Sequence, residues 1–306
     1  MNEPIGQHIV PRCYLQNFAV EKRKEEFFVD VLFNQSSEQK IHRQNIKNIC
    51  KIREFYTFDS LPEDEKRWLE KYYSRHIESV YHDIYKALID PKVETISPEL
   101  KMKILVYIVA QELRTPKLAE ALNSLLNRTI EYTFLAHEQL GTEKKIYTED
   151  DQVIDLEGKT MEEAIKESNS SNRQSANLES VKRLKHIAEL KMDYHILVTT
   201  YKGDLGLISS DRPVHADSPL YSPDCKISLP IDRNHMVSLY PYDKELDTDP
   251  LKLLRLDHDA QNSALYVLTY NMLQVEKADR YLYGDKLDIT KALEQYEILK
   301  ARNGLD

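Results

Sequence analysis

The chain has 306 residues, 41% hydrophobic and 30% charged, with only 7 Gly; this excludes a disordered or fibrous protein and suffices for one large domain or two ordinary ones. The formal charge of −9 excludes an extended face for non-specific nucleic-acid binding, which needs dense cationic surface, but leaves room for a small basic pocket inside an acidic shell. No apolar run approaches the roughly 18–20 residues that span a bilayer, and no secretory apolar core opens the sequence, so no membrane is expected among the partners.

Residues 1–20 are polar and Pro-interrupted, with room for one helical turn at 14–18. Residues 27–33 (FFVDVLF) predict a strand, 34–37 a turn and 40–43 a return strand, together a hairpin. From Pro62 the period becomes helical. Ser60 is a candidate N-cap, and Trp68, Leu69, Tyr72, Tyr73, Ile77, Val80, Ile84 and Leu88 recur at 3–4 spacing, predicting one long amphipathic helix up to Asp90. Ser97 and Pro98 start a second helix that Thr115-Pro116 ends, and a third runs over 117–140. Residues 141–180 are acidic and polar, with SNSSNRQS at 168–175; they predict an exposed insertion with one short helix at 161–167, followed by a helix over 178–191. Strands are predicted at 195–200, 206–209, 226–230 and 235–240, a last helix at 259–278 and a closing strand at 281–283. Helices gathered in the middle with strands after them predict an α+β fold: a central helical region and a mostly antiparallel C-terminal sheet joined by the N-terminal segment. The expected organisation is one domain over 1–306 with an exposed, removable polar insertion at 141–175.

Nineteen Tyr stand against one Trp; rings that fill a core edge while the hydroxyl reaches an acceptor account for most of them. Cys13, Cys50 and Cys225 lie far apart with no Cys-x-x-Cys pair, the usage of reduced thiols in the cytoplasm rather than of a disulfide framework or a zinc site. Gly158-Lys159-Thr160 is no phosphate loop, because Val153 stands where the first Gly is needed and no strand precedes it. His76, His82 and His186 lie within helical segments and read as surface or core-edge residues. Arg75 and His82, seven residues apart on one helical face, resemble the loose Arg-x-(four to six)-His signature of helical nucleotide-binding ribonucleases, a spacing that many solvated helices also meet.

Six blocks in order carry a more specific likeness: His8-Ile9-Val10-Pro11-Arg12-Cys13-Tyr14-Leu15-Gln16-Asn17-Phe18; Asn45-Ile46-Lys47-Asn48 with Phe55-Tyr56; Leu113-Arg114-Thr115-Pro116; Ile208-Ser209-Ser210-Asp211-Arg212-Pro213-Val214; Pro230-Ile231; and Asn271-Met272-Leu273-Gln274 through Arg280-Tyr281. Together they resemble a bacterial family catalogued as domain of unknown function 4238, departing from its pattern at Ser209 and Arg212. The resemblance spans most of the chain, leaves 141–180 uncovered and implies no activity.

These blocks are polar beyond what packing requires. Asn271 sits on the apolar stripe marked by Ala264, Leu268 and Val275, with Gln274 one turn on, and a buried amide without partners costs roughly 1–3 kcal/mol. Two readings follow. In one, His8, Arg12, Arg114, Asp211, Asn271, Gln274 and Arg280 form a ligand pocket: the arginines, Asn271 and Gln274 bind a phosphorylated ligand, and His8 with Asp211 transfers a proton. The protein would then be a hydrolase acting on a phosphorylated, nucleotide or nucleic-acid substrate. In the other, the same groups tie the N-terminal segment to the sheet, Asp211 pairing with Arg12 or Arg114, in a ligand-sensing or interaction module without catalysis. A metal site lacks a third ligand beside His8 and Asp211. Cofactor, substrate and oligomeric state are not assigned by these residues. Both readings require the N-terminal segment to reach the C-terminal sheet and bring His8 or Arg12 close to Asp211.

Overall fold

Pro11 fixes the backbone that turns an extended N-terminus into a short helix: β1 (Gly6–His8) leads into α1 (Arg12–Leu15) and a 3-10 turn over Gln16–Phe18. The computed structural model describes residues 6–34, 40–58, 61–147, 153–243 and 249–303. β2 (Glu21–Arg23), β3 (Glu26–Phe33) and β4 (Ile41–Asn45) follow, with Phe28 opposite Asn45 and Leu32 opposite Ile41 in the expected hairpin. Of its turn only Asn34 falls within the described residues. After a 3-10 turn over Ile46–Asn48, β5 (Lys51–Arg53) returns antiparallel to β1 and places Lys51 opposite His8.

The segment expected to be one helix from Pro62 to Asp90 is interrupted: α2 (Trp68–Tyr73), a π-helical turn over Ser74–Glu78, and α3 (Tyr81–Ile89). The reason lies in the spacing. Leu69, Tyr73, Ile77 and Tyr81 are all buried at steps of four, and a regular helix would rotate each step by about 40° off the core. Widening the turn keeps all four inward. The proposed cap Ser60 lies outside the described residues. α4 (Pro98–Leu113) begins as expected, with Ser97 Oγ accepting from the Leu100 amide at 3.2 Å. It is buried almost all round and forms the centre of the core. α5 (Lys117–Leu140) ends at Gly141, whose φ of +67° is the left-handed conformation that glycine adopts freely.

β6 (Lys145–Tyr147) and β7 (Val153–Asp155) form a small hairpin, and α6 then runs unbroken over Met161–Glu189. The expected short helix and exposed polar stretch are thereby corrected: SNSSNRQS is mid-helix. Thr160 and Glu163 close a capping box, and the small residues Ala164, Ala176 and Ser180 let α6 lie against α4 and α5 with little apolar side chain.

The remaining elements are β8 (His195–Tyr201), β9 (Ser209–Ser210), β10 (His215–Ala216), β11 (Ile227–Pro230), β12 (His235–Tyr240), β13 (Leu253–His258), α7 (Ala260–Lys277), β14 (Tyr281–Gly284) and α8 (Lys286–Asn303). One sheet has the order β10-β11-β12-β8-β13 and is antiparallel except for β13, which runs parallel to β8; the other, β2-β3-β14-β9 with β4 on β3, combines N- and C-terminal strands. The fold is α+β. β13 and α8 have no counterpart in the sequence reading; α8 buries only Ile289 and Ala292 among its apolar side chains, too sparse a stripe to stand out. The N-terminal segment does reach the C-terminal sheet: Tyr14, fully buried, bonds Ser209 Oγ at 3.0 Å and the Pro230 carbonyl, and Asn17 donates to the Ile231 carbonyl at 3.1 Å. No helix among the described residues is long and apolar enough to cross a membrane.

Candidate functional site

A cleft of about 620 Å³ opens between the β1–β5 pair, the start of α1 and the α2–π segment. Each wall follows from local backbone. On the first, antiparallel pairing sets Lys51 beside His8, and the Lys51 stem crosses Gly6, where a Cβ would stand 3.1 Å from its Cδ. Lys47 sits on the adjoining 3-10 turn and pairs with Glu26 at 3.0 Å. On the opposite side Arg67, Lys71 and Arg75 recur at steps of four, at the N-cap of α2, within α2 and in the π-helical turn after it. The π-helical turn then presents Ser74, Arg75 and Glu78 to the same space. Such turns occur frequently at functional sites. Arg12 lines the cleft from the first position of α1.

Arg114 closes the floor. It caps the C-terminus of α4, where the helix dipole favours a cation, and is only 2% exposed. Its Nη2 donates to the His8 carbonyl and to Glu78, each at 2.9 Å; its Nε donates to the Tyr56 hydroxyl at 3.2 Å; and the guanidinium lies 4.5 Å from the Tyr73 ring centroid. Burial opposes its charge, but Tyr56 and Glu78 outweigh that and keep the guanidinium firmly protonated. Among the described residues Nη1 has no hydrogen-bond partner although it is buried. An unmet guanidinium N–H in a buried position is costly unless something else binds it.

Seven cations and two carboxylates, Glu70 and Glu78, thus line one cleft of an acidic protein. Glu78 is occupied by Arg114 and Glu70 accepts from the Gln7 amide at 3.0 Å. Arg12, Lys51, Lys71 and Arg75 form no ion pair among the described residues. His8 is driven down to about 4, by burial first and then by Lys51, with Arg12 and Arg114 adding and the Ile46 carbonyl opposing. The imidazole is therefore neutral at pH 7. Its Nε2 faces the Ile46 carbonyl at 3.3 Å; a carbonyl only accepts, so Nε2 carries the proton and Nδ1 is an acceptor. Burial, followed by the Glu78 charge, pushes the nearby Cys13 thiol up to about 12, which rules out a thiolate nucleophile at neutral pH.

The other candidates lie elsewhere. Asp211 does not approach His8 as an orienting partner: its two oxygens accept from the Asp279 and Arg280 amides at 3.1 and 2.9 Å, closing the turn between α7 and β14. Burial raises its carboxyl to about 6, against those two bonds. Asn271 accepts from the Ile208 amide at 3.0 Å and donates to the Gly206 carbonyl at 2.9 Å; Gln274 accepts from Ser210 at 2.8 Å and donates to the Pro213 carbonyl at 3.1 Å. Asn271 and Gln274 are thus satisfied by the loop over 206–214, and Asp211 by the turn after α7. Asn271 and Gln274 are buried as expected, but on a stripe with Ser263 and Val267 rather than with Ala264 and Leu268. Arg280 is exposed and borders a second depression, between α5 and α6. Arg75 lines the basic cleft and His82 does not, because the π-helical turn between them breaks the seven-residue register.

The structure therefore brings His8, Arg12 and Arg114 together and separates them from Asp211, Asn271, Gln274 and Arg280. Lys47, Lys51, Arg67 and Lys71 were not among the residues singled out from sequence. The steps of four from Arg67 to Arg75 were a visible signal, whereas the pairing of β1 with β5 was not. Among the described residues no cluster of three or more His, Cys, Asp or Glu could hold a metal.

The family model described as "Protein of unknown function (DUF4238)" matches residues 6–288 of the chain. No curated protein and no solved structure matches it.

Proposed function

The chain belongs to the DUF4238 family, and from its geometry we propose that the N-terminal cleft binds a phosphorylated ligand. The observation that carries the proposal is the set of cations in one cleft: Arg12, Lys51, Lys71 and Arg75 line it with no ion pair among the described residues, and Arg114 lines it beside them. Arginine forks match phosphate oxygens in geometry as well as charge. Like charges held this close raise the energy of the free protein, a cost that a bound anion offsets.

His8 is a group in the cleft that can accept a proton, through Nδ1. In hydrolysis of a phosphate ester it would take a proton from the water whose oxygen bonds to phosphorus, while Arg12 and Arg114 hold the phosphoryl oxygens and the ester P–O bond breaks, its electron pair leaving on the alcohol oxygen, which takes a proton from solvent. Non-catalytic binding is favoured by a separate observation: both Asp211 oxygens accept from backbone amides, which leaves His8 without that carboxylate to orient it.

Thermal melts in inorganic phosphate and pyrophosphate test binding. A ligand at 100 times its Kd stabilises by about 2.7 kcal/mol, so the melting temperature should climb with ligand concentration. Arg12→Ala should fold as well as the parent and lose most of that rise. A parent protein whose melt is indifferent to both anions contradicts the proposal. Turnover of phosphate esters by the parent but not by His8→Gln, with binding retained, would assign hydrolysis; binding without turnover would assign sensing.

A further inference from the structure

We infer that the anion taken by the cleft is a short chain of phosphates, a pyrophosphate or triphosphate group recognised by its charge rather than by what it is attached to. This rests on the phosphate-binding reading above and adds the number of phosphates. Arg12, Lys51, Lys71 and Arg75 form no ion pair among the described residues, and Arg114 lines the same cleft. A single phosphate monoester carries about two negative charges at most, which meets only two of these cations. Two or three phosphates in sequence carry enough to meet all of them.

The layout points the same way. Lys71 stands in α2 and Arg75 in the π-helical turn that follows it, whereas Lys51 lies in β5 beside His8, and Arg114 lines the same cleft from the end of α4. A compact anion seated at the floor leaves the outer cations without a partner. An elongated one running outward from Arg114 engages both walls. Among the described residues the lining contains no Phe, Tyr or Trp; Tyr56 and Tyr73 lie against the Arg114 guanidinium instead. Without an aromatic platform a nucleobase gains no stacking, so a nucleoside attached to the phosphates contributes little.

Calorimetric titration of the full chain with inorganic phosphate, pyrophosphate, tripolyphosphate, AMP, ATP, UTP and a short oligothymidylate ending in a 5′-hydroxyl decides the matter. Tripolyphosphate should bind about 100-fold tighter than phosphate, as two further charge-assisted contacts would give. ATP and UTP should lie within a few-fold of tripolyphosphate, and AMP should fall near phosphate. Arg75→Ala, an exposed change, should weaken tripolyphosphate by about tenfold and phosphate by less, and Arg75→Lys should recover part of the loss. Equal affinity for phosphate and tripolyphosphate overturns the chain-of-phosphates inference while leaving phosphate binding intact. A clear preference between ATP and UTP overturns recognition by charge alone. An oligothymidylate that binds more tightly than tripolyphosphate overturns it in favour of a nucleic-acid strand. Failure of every anion to bind overturns both this inference and the reading beneath it.

Discussion

The N-terminal cleft and the loop over 206–214 are both rich in polar residues that the sequence places beside apolar anchors, yet they solve opposite problems. Around Asp211, Asn271 and Gln274 each buried polar atom named here meets a complementary one, chiefly backbone amides and carbonyls. Around Arg114 the count does not close among the described residues: one buried guanidinium nitrogen lacks a hydrogen-bond partner, and Arg12, Lys51, Lys71 and Arg75 lack an ion pair. A satisfied network holds a loop in place, and an unsatisfied one holds a place for something else. Polarity alone does not separate the two.

The largest expected effect lies in the satisfied region. Asn271→Ala leaves the Ile208 amide and the Gly206 carbonyl buried without partners, at roughly 1–3 kcal/mol each. Urea denaturation should show a loss of about 2–6 kcal/mol, with anion binding unchanged in whatever fraction stays folded. A near-neutral substitution would mean that α7 does not anchor the loop.

The pH dependence comes next, because the two regions oppose each other. The folded-state pKa of His8 lies below its unfolded value, so the folded protein binds fewer protons between pH 6.5 and about 4. Stability from this group is present above pH 6.5 and is lost as the pH falls through that window. Asp211 is raised from 3.8 to about 6, so its stability is present below pH 3.8 and is lost as the pH rises through 6. In the parent the two slopes partly cancel. His8→Gln should remove up to about 3 kcal/mol of acid-side destabilisation, leaving a protein that gains stability as the pH drops from 6 towards 4. Melting curves of parent and variant across that range would show no divergence if His8 titrated as an exposed histidine.

A smaller effect sharpens the separation itself. Arg12 and Asp211 share no contact among the described residues, so the stability changes of Arg12→Ala and Asp211→Ala should add within about 0.5 kcal/mol. Recovery in the double variant would mean an ion pair between them and would join the two regions into one.

How much of this was legible in the sequence depended on the range of the interaction involved. The hairpin, the cap at Ser97 and the helix over Lys117–Leu140 are local patterns, and they stand in the structure as read. The apolar stripe from Trp68 to Leu88 predicts the helical segment, but the steps of four from Leu69 to Tyr81 also encode the π-helical turn that a fixed 3.6-residue period hides. α6 was misread because its buried face is built from Ala, Ser and Asn. His8, Arg12 and Arg114 were identifiable as polar residues in unusual positions. Their union with Lys51 depends on β1 pairing with β5 across more than forty residues, and the fate of Asp211 depends on two amides near position 280. Neither pairing leaves a periodic trace in the chain.

The central claim is that the anion belongs to the N-terminal cleft and not to the polar loop. Hydrogen exchange of the full chain, read by mass spectrometry with and without saturating pyrophosphate, tests it directly. The account predicts slowed exchange in peptides covering 6–12, 46–53 and 67–79, with 206–214 and 271–281 unchanged. Protection confined to the latter two segments, or none anywhere at a concentration that shifts the melt, would contradict it.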